Sequence, residues 1–373
     1  MSRNHYIIPI FVPHIGCPHN CVFCNQNTIT GKKHLKETSE EILNSSKAEN
    51  IIKEFLKTIN NKRSEDAIIE ISFFGGTFTA IPVDLQEELL KVAYKYKNSG
   101  LIKYIRLSTR PDYIDIEKLS LLKKYSVDII ELGVQSLDED VLRLSGRGHS
   151  EDQVYLASRL IKSFNFTLGI QIMLGLPGDN MKKDILTALK VVEIKPTIAR
   201  IYPSLVIKDT PMETMLERGD YKPYSLYESI NICKAIYSVF VSNNINVVRV
   251  GLQPTEDINE DAELVSGPFH PAYRELMESS LLNEAIFSKV LERSVKDKMI
   301  LTINPKNISK LYSNKKYYFN KYKDKYDLKE LKVIQDTNMS LDEVKINIDS
   351  YTYMISYRTF LKEKALEIEN SYL

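Results

Sequence analysis

The sequence predicts an α/β protein: a partial (β/α)6 barrel of the TIM type, followed by a small C-terminal α+β domain. Three observations predict it. Short β-rich apolar runs alternate with longer segments of 3.6-residue period, six times before residue 205. Such alternation implies parallel strands joined by crossover helices. The chemistry-bearing residues fall directly after successive strands, and barrels carry their sites in those loops.

The strands expected are Tyr6–Val12, Ile68–Phe74, Lys103–Ser108, Val127–Gly133, Thr167–Met173, Thr197–Tyr202 and Asn246–Val250. A helix is expected over about Ser39–Ile59. Another starts at Pro82, a favoured first helical residue, with Leu85, Leu89, Val92, Ala93 and Tyr96 on one side. Further helices fit Ile116–Tyr125, Asp152–Ser163, Lys182–Val192 and Leu226–Asn243. No nucleotide-type glycine-rich turn follows the first strand, so a barrel is expected in place of an open dinucleotide-binding sheet. The pattern changes at Gly267-Pro268. A helical stretch, Pro271–Arg293, leads to a strand-like Met299–Ile303 and a lysine- and tyrosine-rich segment. The division expected is therefore 1–267 and 268–373. No internal repeat is present.

The chain has 373 residues, enough for two domains. Lys plus Arg number 50 and Asp plus Glu 49. That balance excludes a generally basic nucleic-acid binder but leaves room for a local patch. No apolar run reaches the 18 residues of a membrane span, and the opening MSRNHYIIPI does not read as a signal peptide. Four cysteines make no disulfide framework, so a reducing cytoplasm is expected.

Three of those cysteines, Cys17, Cys21 and Cys24, form C-x3-C-x2-C after the first strand. Three thiolates so close can hold three irons of a [4Fe–4S] cluster and leave the fourth open to an outside ligand. Zinc is the competing reading, with His14, His19 or distant Cys233 completing a tetrahedral set; unligated cysteines are a third. Cys233 sits in an apolar helical run, where a buried, inert thiol is expected.

At these residues the sequence resembles the radical SAM superfamily. Cys17-Pro-His-Asn-Cys21-Val-Phe-Cys24 is similar to that family's cluster loop, and Gly75-Gly76-Thr77 to the glycine motif that meets the methionine amino group of S-adenosylmethionine. Gly-Val-Gln-Ser at 133–136 and Gly175-Leu-Pro-Gly178 resemble motifs of the coproporphyrinogen-dehydrogenase-like and Elongator-protein-3-like branches. Phe-Gly-Gly-Thr-Phe-Thr-Ala (74–80), Thr-Arg-Pro-Asp (109–112), Gly-Val-Gln-Ser-Leu-Asp (133–138), Arg-Gly-His (147–149) and Ile-Tyr-Pro-Ser-Leu-Val-Ile-Lys (201–208) point to the Elongator-protein-3 branch. The resemblance covers about residues 5–210.

The resemblance implies cluster ligation by Cys17, Cys21 and Cys24. It implies S-adenosyl-L-methionine contacts at Gly76, Thr77, Ser108, Gln135, Arg147 and Gln171. Arg147 would pair with the methionine carboxylate, which its guanidinium suits; Gln135 and Gln171 would face the ribose. Ser108 stands where these branches usually carry glutamate. Gln26 stands where coproporphyrinogen dehydrogenases carry an extra cysteine, which speaks against that activity. The implied reaction is reductive cleavage of the cofactor to a 5′-deoxyadenosyl radical, with a low-potential electron donor as partner. No catalytic base is assigned; His149 could orient the cofactor or move a proton.

Elongator-protein-3 enzymes modify the tRNA wobble uridine and carry an acetyl-CoA-binding domain. Such a domain needs a glycine-containing turn at a pyrophosphate, yet residues 268–373 contain no glycine. A core-only relative that does not itself use acetyl-CoA is expected. Residues Lys306–Lys332 hold nine lysines against Asp324, Asp327 and Glu330, a local charge of +6. Tyr312, Tyr317, Tyr318, Phe319, Tyr322 and Tyr326 interleave, a composition that fits RNA contact or a plain solvated face. Three functions follow: a radical SAM enzyme on RNA, most readily tRNA; one on a small molecule or tetrapyrrole; or a non-catalytic, cluster-bearing chaperone.

Overall fold

The structure is a computed structural model. It describes residues 5–13, 17, 19–25, 43–60, 67–252, 263–291, 298–326, 328–348 and 350–372. His14, Gln26 and the first residues of the helix expected from Ser39 lie outside the described residues.

Seven parallel strands form one sheet that curls into a half-barrel, in the order β1 (His5–Val12), β2 (Ile68–Gly75), β3 (Tyr104–Thr109), β4 (Ile129–Gln135), β5 (Thr167–Leu174), β6 (Ile198–Pro203) and β8 (Asn246–Val250). The expected partial barrel is present, and β8 extends its six units by a seventh strand. Helices α1 (Ser45–Asn60), α2 (Val83–Asn98), α3 (Ile116–Lys124), α5 (Glu151–Ser163), α6 (Met181–Ile194) and α8 (Leu226–Ser242) supply the crossovers. The sequence reading missed α4 (Glu139–Leu144), α7 (Pro211–Arg218) and a two-stranded ribbon, β7 (Val206–Ile207) with β9 (Leu264–Ser266). All are too short to carry a legible period.

Alternation along the strands separates two environments. Ile8, Ile10, Ile69, Ile71, Phe73, Ile105, Leu107, Ile130, Leu132, Leu168, Ile170, Ala199 and Ile201 are buried in the apolar core under the helices. In β2 to β6 the residues between them are polar or glycine: Glu70 and Ser72, Arg106 and Ser108, Glu131 and Gly133, Gly169 and Gln171, Arg200 and Tyr202.

Four of these make a buried charge layer across the sheet. Arg106 donates to Glu131 (Nη1 to Oε1, 2.8 Å) and to Glu70 (Nη2 to Oε2, 3.0 Å). Arg200 Nε lies 2.9 and 3.1 Å from the two Glu131 oxygens, and its Nη1 is 3.3 Å from the Tyr202 hydroxyl. Ser72 and His5 complete the shell of Glu70. Gly169 opposes Glu131 in the ladder, and a Cβ there would lie 2.7 Å from Glu131 Cγ. The missing side chain is the space Glu131 occupies.

Beyond the barrel, α9 (Tyr273–Leu291) leads to a four-stranded sheet ordered β11 (Glu330–Gln335), β10 (Lys298–Ile303), β12 (Glu343–Ile348), β13 (Tyr351–Ser356). Helices α10 (Ile308–Leu311) and α11 (Ser313–Lys325) lie between β10 and β11. The final helix α12 (Tyr357–Tyr372) returns to α8, where Ser242 Oγ donates to the Leu361 carbonyl at 3.1 Å. Glu284 of α9 joins Lys234 of α8 (3.0 Å) to Lys364 of α12 (2.5 Å). Helix α9 serves two cores. Tyr273, Leu276, Met277 and Leu281 belong to the barrel cluster, and Leu282, Ala285, Ile286 and Phe287 to the C-terminal one.

Candidate functional site at the strand ends

The cysteine loop is held from three sides. Val22 N donates to the Ser145 carbonyl (3.1 Å), and Met212 N donates to the Val22 carbonyl (3.0 Å). Asn25 Nδ2 donates to the Lys208 carbonyl at 2.8 Å. Val22 and Phe23 pack on the small cluster of Val206, Met212 and Tyr221. The stretch through Lys208 that the resemblance singled out is therefore a clasp for this loop. On the third side the His19 ring covers Gly148. A Cβ at 148 would sit 2.2 Å from His19 Nδ1, and Gly148 has φ +69°, so this position requires glycine twice over.

Two guanidiniums converge on one thiol. Arg147 Nη1 lies 3.2 Å from Cys21 Sγ, and Arg110 Nη1 lies 3.7 Å from it. Arg147 also donates to the Gly133 carbonyl, and Arg110 to the carbonyl of Arg147. Arg110 forks onto Asp112, Nε to Oδ1 at 3.0 Å and Nη2 to Oδ2 at 3.1 Å. His19 Nε2 meets the same Oδ2 at 3.0 Å. Burial pushes the Cys24 thiol up to about 12, with the Cys21 and Cys17 sulfurs adding to it and the two arginines opposing. Burial also lowers the Arg147 pKa. Arg110 holds the Asp112 carboxyl below its ordinary value despite burial.

The other expected residues gather at the same end. Gln171 Nε2 is 3.4 Å from Gln135 Oε1, on the two sides of the β4–β5 pairing. Gln135 adopts φ +69° at a register shift in β4, which folds its side chain over Gly133: a Cβ there would be 3.2 Å from Gln135 Nε2 and 3.6 Å from Arg147 Nη2. Gly76 N donates to the Val12 carbonyl (2.9 Å), which sets Thr77 beside the end of β1. Ser108 stands beside Glu131 in the ladder. That carboxylate is already bound to Arg106 and Arg200, so it does not stand in for the glutamate expected at 108. The Gly175–Gly178 turn is packed from outside, with the Tyr221 hydroxyl donating to the Gly175 carbonyl at 2.6 Å.

Some buried donors are unmatched. Arg147 Nε and both ring nitrogens of His149 are buried without a well-formed hydrogen bond. Burial and the charges of Arg147 and Arg110 push the His149 pKa down to about 3. Buried polar atoms are ordinarily satisfied; other orphans are scattered through the molecule, and these three stand out because they gather beside the cysteines. Two arginines against one aspartate leave a positive surplus that suits thiolates and a carboxylate. These residues fit an anionic sulfur cluster with an amino-acid cofactor beside it. No three His, Cys, Asp or Glu side chains among the described residues are set to grip a single metal ion. Each cysteine of a four-iron cluster holds its own iron. His19 is engaged by Asp112, and Cys233 is fully buried in α8 with its thiol pushed up to about 12. Neither is placed as a fourth zinc ligand.

Sequence reasoning placed Arg110 and Asp112 in a family motif without giving either a role, and weighed His19 as a zinc ligand, whereas it is bound to Asp112. Arg110 lies one residue beyond β3 and continues the alternation of Arg106 and Ser108.

The lysine-rich segment gives a mixed result. Tyr318 and Phe319 are buried, and Phe287 stacks on Tyr322 at 5.3 Å and on Tyr326 at 6.1 Å. Most of the interleaved aromatics are therefore core, and this corrects the composition-based picture of a stacking surface. Tyr317 remains half exposed, and Lys321 Nζ sits 4.3 Å over the exposed Tyr227 ring. An open hollow of about 480 Å³ is lined by Asn314, Lys315, Tyr317, Asn320, Lys321 and Asp324. Among the described residues, no helix is long and apolar enough to cross a membrane.

Comparison with known proteins gives two family matches. Residues 11–190 match the model of the radical SAM superfamily, and residues 196–283 that of the radical SAM C-terminal domain. A tRNA uridine(34) acetyltransferase of Methanocaldococcus jannaschii is 30% identical over 191 residues, 46% of this chain and 35% of that protein. Elongator complex protein 3 of Homo sapiens is 29% identical over 191 residues, with the same coverage, 46% and 35%. The chain thus spans about a third of the length of these two relatives. The solved structure of an N-terminally truncated archaeal Elp3 of Methanocaldococcus infernus superposes with a TM-score of 0.57 at 21% identity, covering 79% of this chain and 66% of that one. That likeness is one of fold.

Proposed function

The chain belongs to the radical SAM superfamily, and we propose that it is an enzyme of the Elongator-protein-3-like branch that modifies tRNA. Members of the superfamily bind a [4Fe–4S] cluster and S-adenosylmethionine. When bound, these supply one-electron reductive cleavage of the cofactor and hydrogen-atom abstraction from the substrate.

The chain's own residues then have definite tasks. Cys17, Cys21 and Cys24 hold three irons. Gly76 and Thr77 receive the methionine amino group, and Arg147 pairs with the carboxylate through the Nε that is buried and unfilled. Gln135 and Gln171 hydrogen-bond the ribose. Ser108 is too short to make the contact of a glutamate directly and makes it through water. His149, held neutral by burial and by Arg147, gives the pocket an uncharged donor and acceptor beside that arginine. The observation that carries this reading is the convergence of Cys21, Arg110 and Arg147 in a buried, positively charged place at the strand ends.

Two features support tRNA as substrate: the tRNA-modifying relatives, and the face of Lys315, Tyr317 and Lys321. The burial of the other tyrosines confines RNA contact to a narrow strip of phosphate-binding lysines.

The test is anaerobic reconstitution with iron, sulfide and zinc assayed, followed by S-adenosylmethionine and dithionite. About four irons per chain and 5′-deoxyadenosine are expected. Zinc in place of iron overturns the proposal, and irons without product, tRNA included, turn it into the chaperone. Unmodified tRNA should shift in a low-salt gel and lose the shift in a K315E/K321E variant. Failure to shift, with 5′-deoxyadenosine formed, redirects the search to small molecules.

A further inference from the structure

We propose that Arg110 sets the reduction potential of the cluster through Cys21, and that Asp112 limits how much of its charge arrives there. The proposal rests on the cluster reading above and goes beyond it, since it gives roles to residues with none so far.

The cysteines are not equivalent. Among the described residues, guanidinium N–H groups reach Cys21 alone, one from Arg147 at 3.2 Å and one from Arg110 at 3.7 Å. Cys21 is also the buried member of the three. The two arginines differ in freedom. Arg147 has an unfilled Nε and a cofactor carboxylate to meet. Arg110 is 4% exposed, and its Nε and Nη2 are locked on the two oxygens of Asp112. Its Nη1 is left, and it lies at Cys21. A forked arginine–carboxylate pair fixes the guanidinium plane, so this contact is positioned by Asp112. Asp112 is in turn shared with His19, and that ring is packed on Gly148. Residues 19, 110, 112 and 148 thus form one rigid assembly around one thiolate.

Hydrogen bonds and positive charge at a cluster's sulfur ligands favour its more negative, reduced state. The step concerned is one electron passing from an external low-potential reductant to the cluster. Arg110 raises the potential for that step. Asp112, the neighbouring negative charge, lowers it while holding Arg110 in place. The signs are opposite although both residues serve the same geometry, and that separates charge tuning from simple loop support.

The experiment is a dithionite titration followed by electron paramagnetic resonance, on the full chain reconstituted to its cluster and without S-adenosylmethionine. R110Q should move the midpoint down by about tenfold in the reduced-to-oxidised ratio at fixed potential, about 59 mV for one electron. R110K should move it less, and D112N should move it up. Equal midpoints in R110Q and D112N, or shifts of one sign, at full iron content overturn the proposal. Where R110Q does not hold its irons, D112N decides alone, because Arg110 is still present: a midpoint that does not rise overturns the proposal. Wild-type protein that takes up no iron overturns the cluster reading itself, and the iron assay shows that before any titration begins.

Discussion

The molecule contains two buried sets of arginines and carboxylates, and they are built on opposite plans. In the layer across the sheet, Glu70 and Glu131 meet Arg106 and Arg200, two charges against two. At the strand ends, among the described residues, Asp112 is the one carboxylate near two arginines; Arg110 forks onto it, while Arg147 bonds Cys21 Sγ and the Gly133 carbonyl and its Nε makes no well-formed hydrogen bond. The balanced set has a carboxylate for each guanidinium, although Arg106 Nε, 3.0 Å from Glu70 Oε1, is no better hydrogen-bonded than Arg147 Nε. The unbalanced set carries a surplus of positive charge beside the cysteines. Burial alone therefore does not mark a functional charge; the imbalance does.

The largest effect that would test this contrast lies in the balanced layer. Glu131→Gln removes the carboxylate that serves both Arg106 and Arg200, and breaking such a buried pair costs about 3–5 kcal/mol. Urea unfolding should show that loss with no change in affinity for S-adenosylmethionine beyond what unfolding explains. A neutral result would mean the layer is not the closed unit described.

Arg147→Met should behave the other way. Its hydrogen bonds to Gly133 and Cys21 disappear, at a stability cost of about 1–2 kcal/mol. Binding of S-adenosylmethionine to the reconstituted protein should weaken at least tenfold, about 1.4 kcal/mol. Equal losses of stability in these two variants would erase the distinction.

Gly148→Ala addresses the frame around the unbalanced set. Its φ of +69° and the His19 ring 2.2 Å from the new Cβ make the change costly locally, about 1–2 kcal/mol for the left-handed residue. Cluster loss to a chelator should speed up while the thermal midpoint barely moves. An unchanged rate would mean that His19 does not hold the loop.

The last test reads a slope, which leaves stability at neutral pH unchanged. His149 titrates near 3 in the folded protein and near 6.5 when unfolded. Between those values the unfolded chain binds the extra proton, so stability falls as pH drops from about 6.5 towards 3. His149→Gln should flatten that part of the urea-midpoint profile. A profile that keeps its full slope would place the histidine elsewhere in energetic terms.

The sheet was legible because its strands advertise one face: Ile69, Ile71 and Phe73 alternate with Glu70 and Ser72, and the ends fall within two residues of the structure. The charge layer was legible in principle, as a lone charge inside each of four apolar runs. What joins Glu131 to Arg106 and Arg200 is strand order and register, which local sequence does not specify. The contact between His19 and Asp112 spans 93 residues and exists only once two loops meet. Lysine and tyrosine counts in 306–332 could not tell core from surface. Around α11 that choice is made by Phe287 on α9, which draws Tyr322 and Tyr326 inward. Cys17, Cys21 and Cys24 were found from their spacing and Arg147 through the family resemblance, whereas Arg110, although inside the Thr-Arg-Pro-Asp motif, gets its role only from the fold, which brings it to Cys21.

Helix α9 belongs to both hydrophobic cores, with Leu281 in one and Leu282 in the other. A continuous helix rises about 1.5 Å per residue and bends little. One unbroken helix therefore couples the two cores: a cavity cut at Leu281 loosens the barrel side and one cut at Leu282 the C-terminal side, although the two residues are neighbours in sequence.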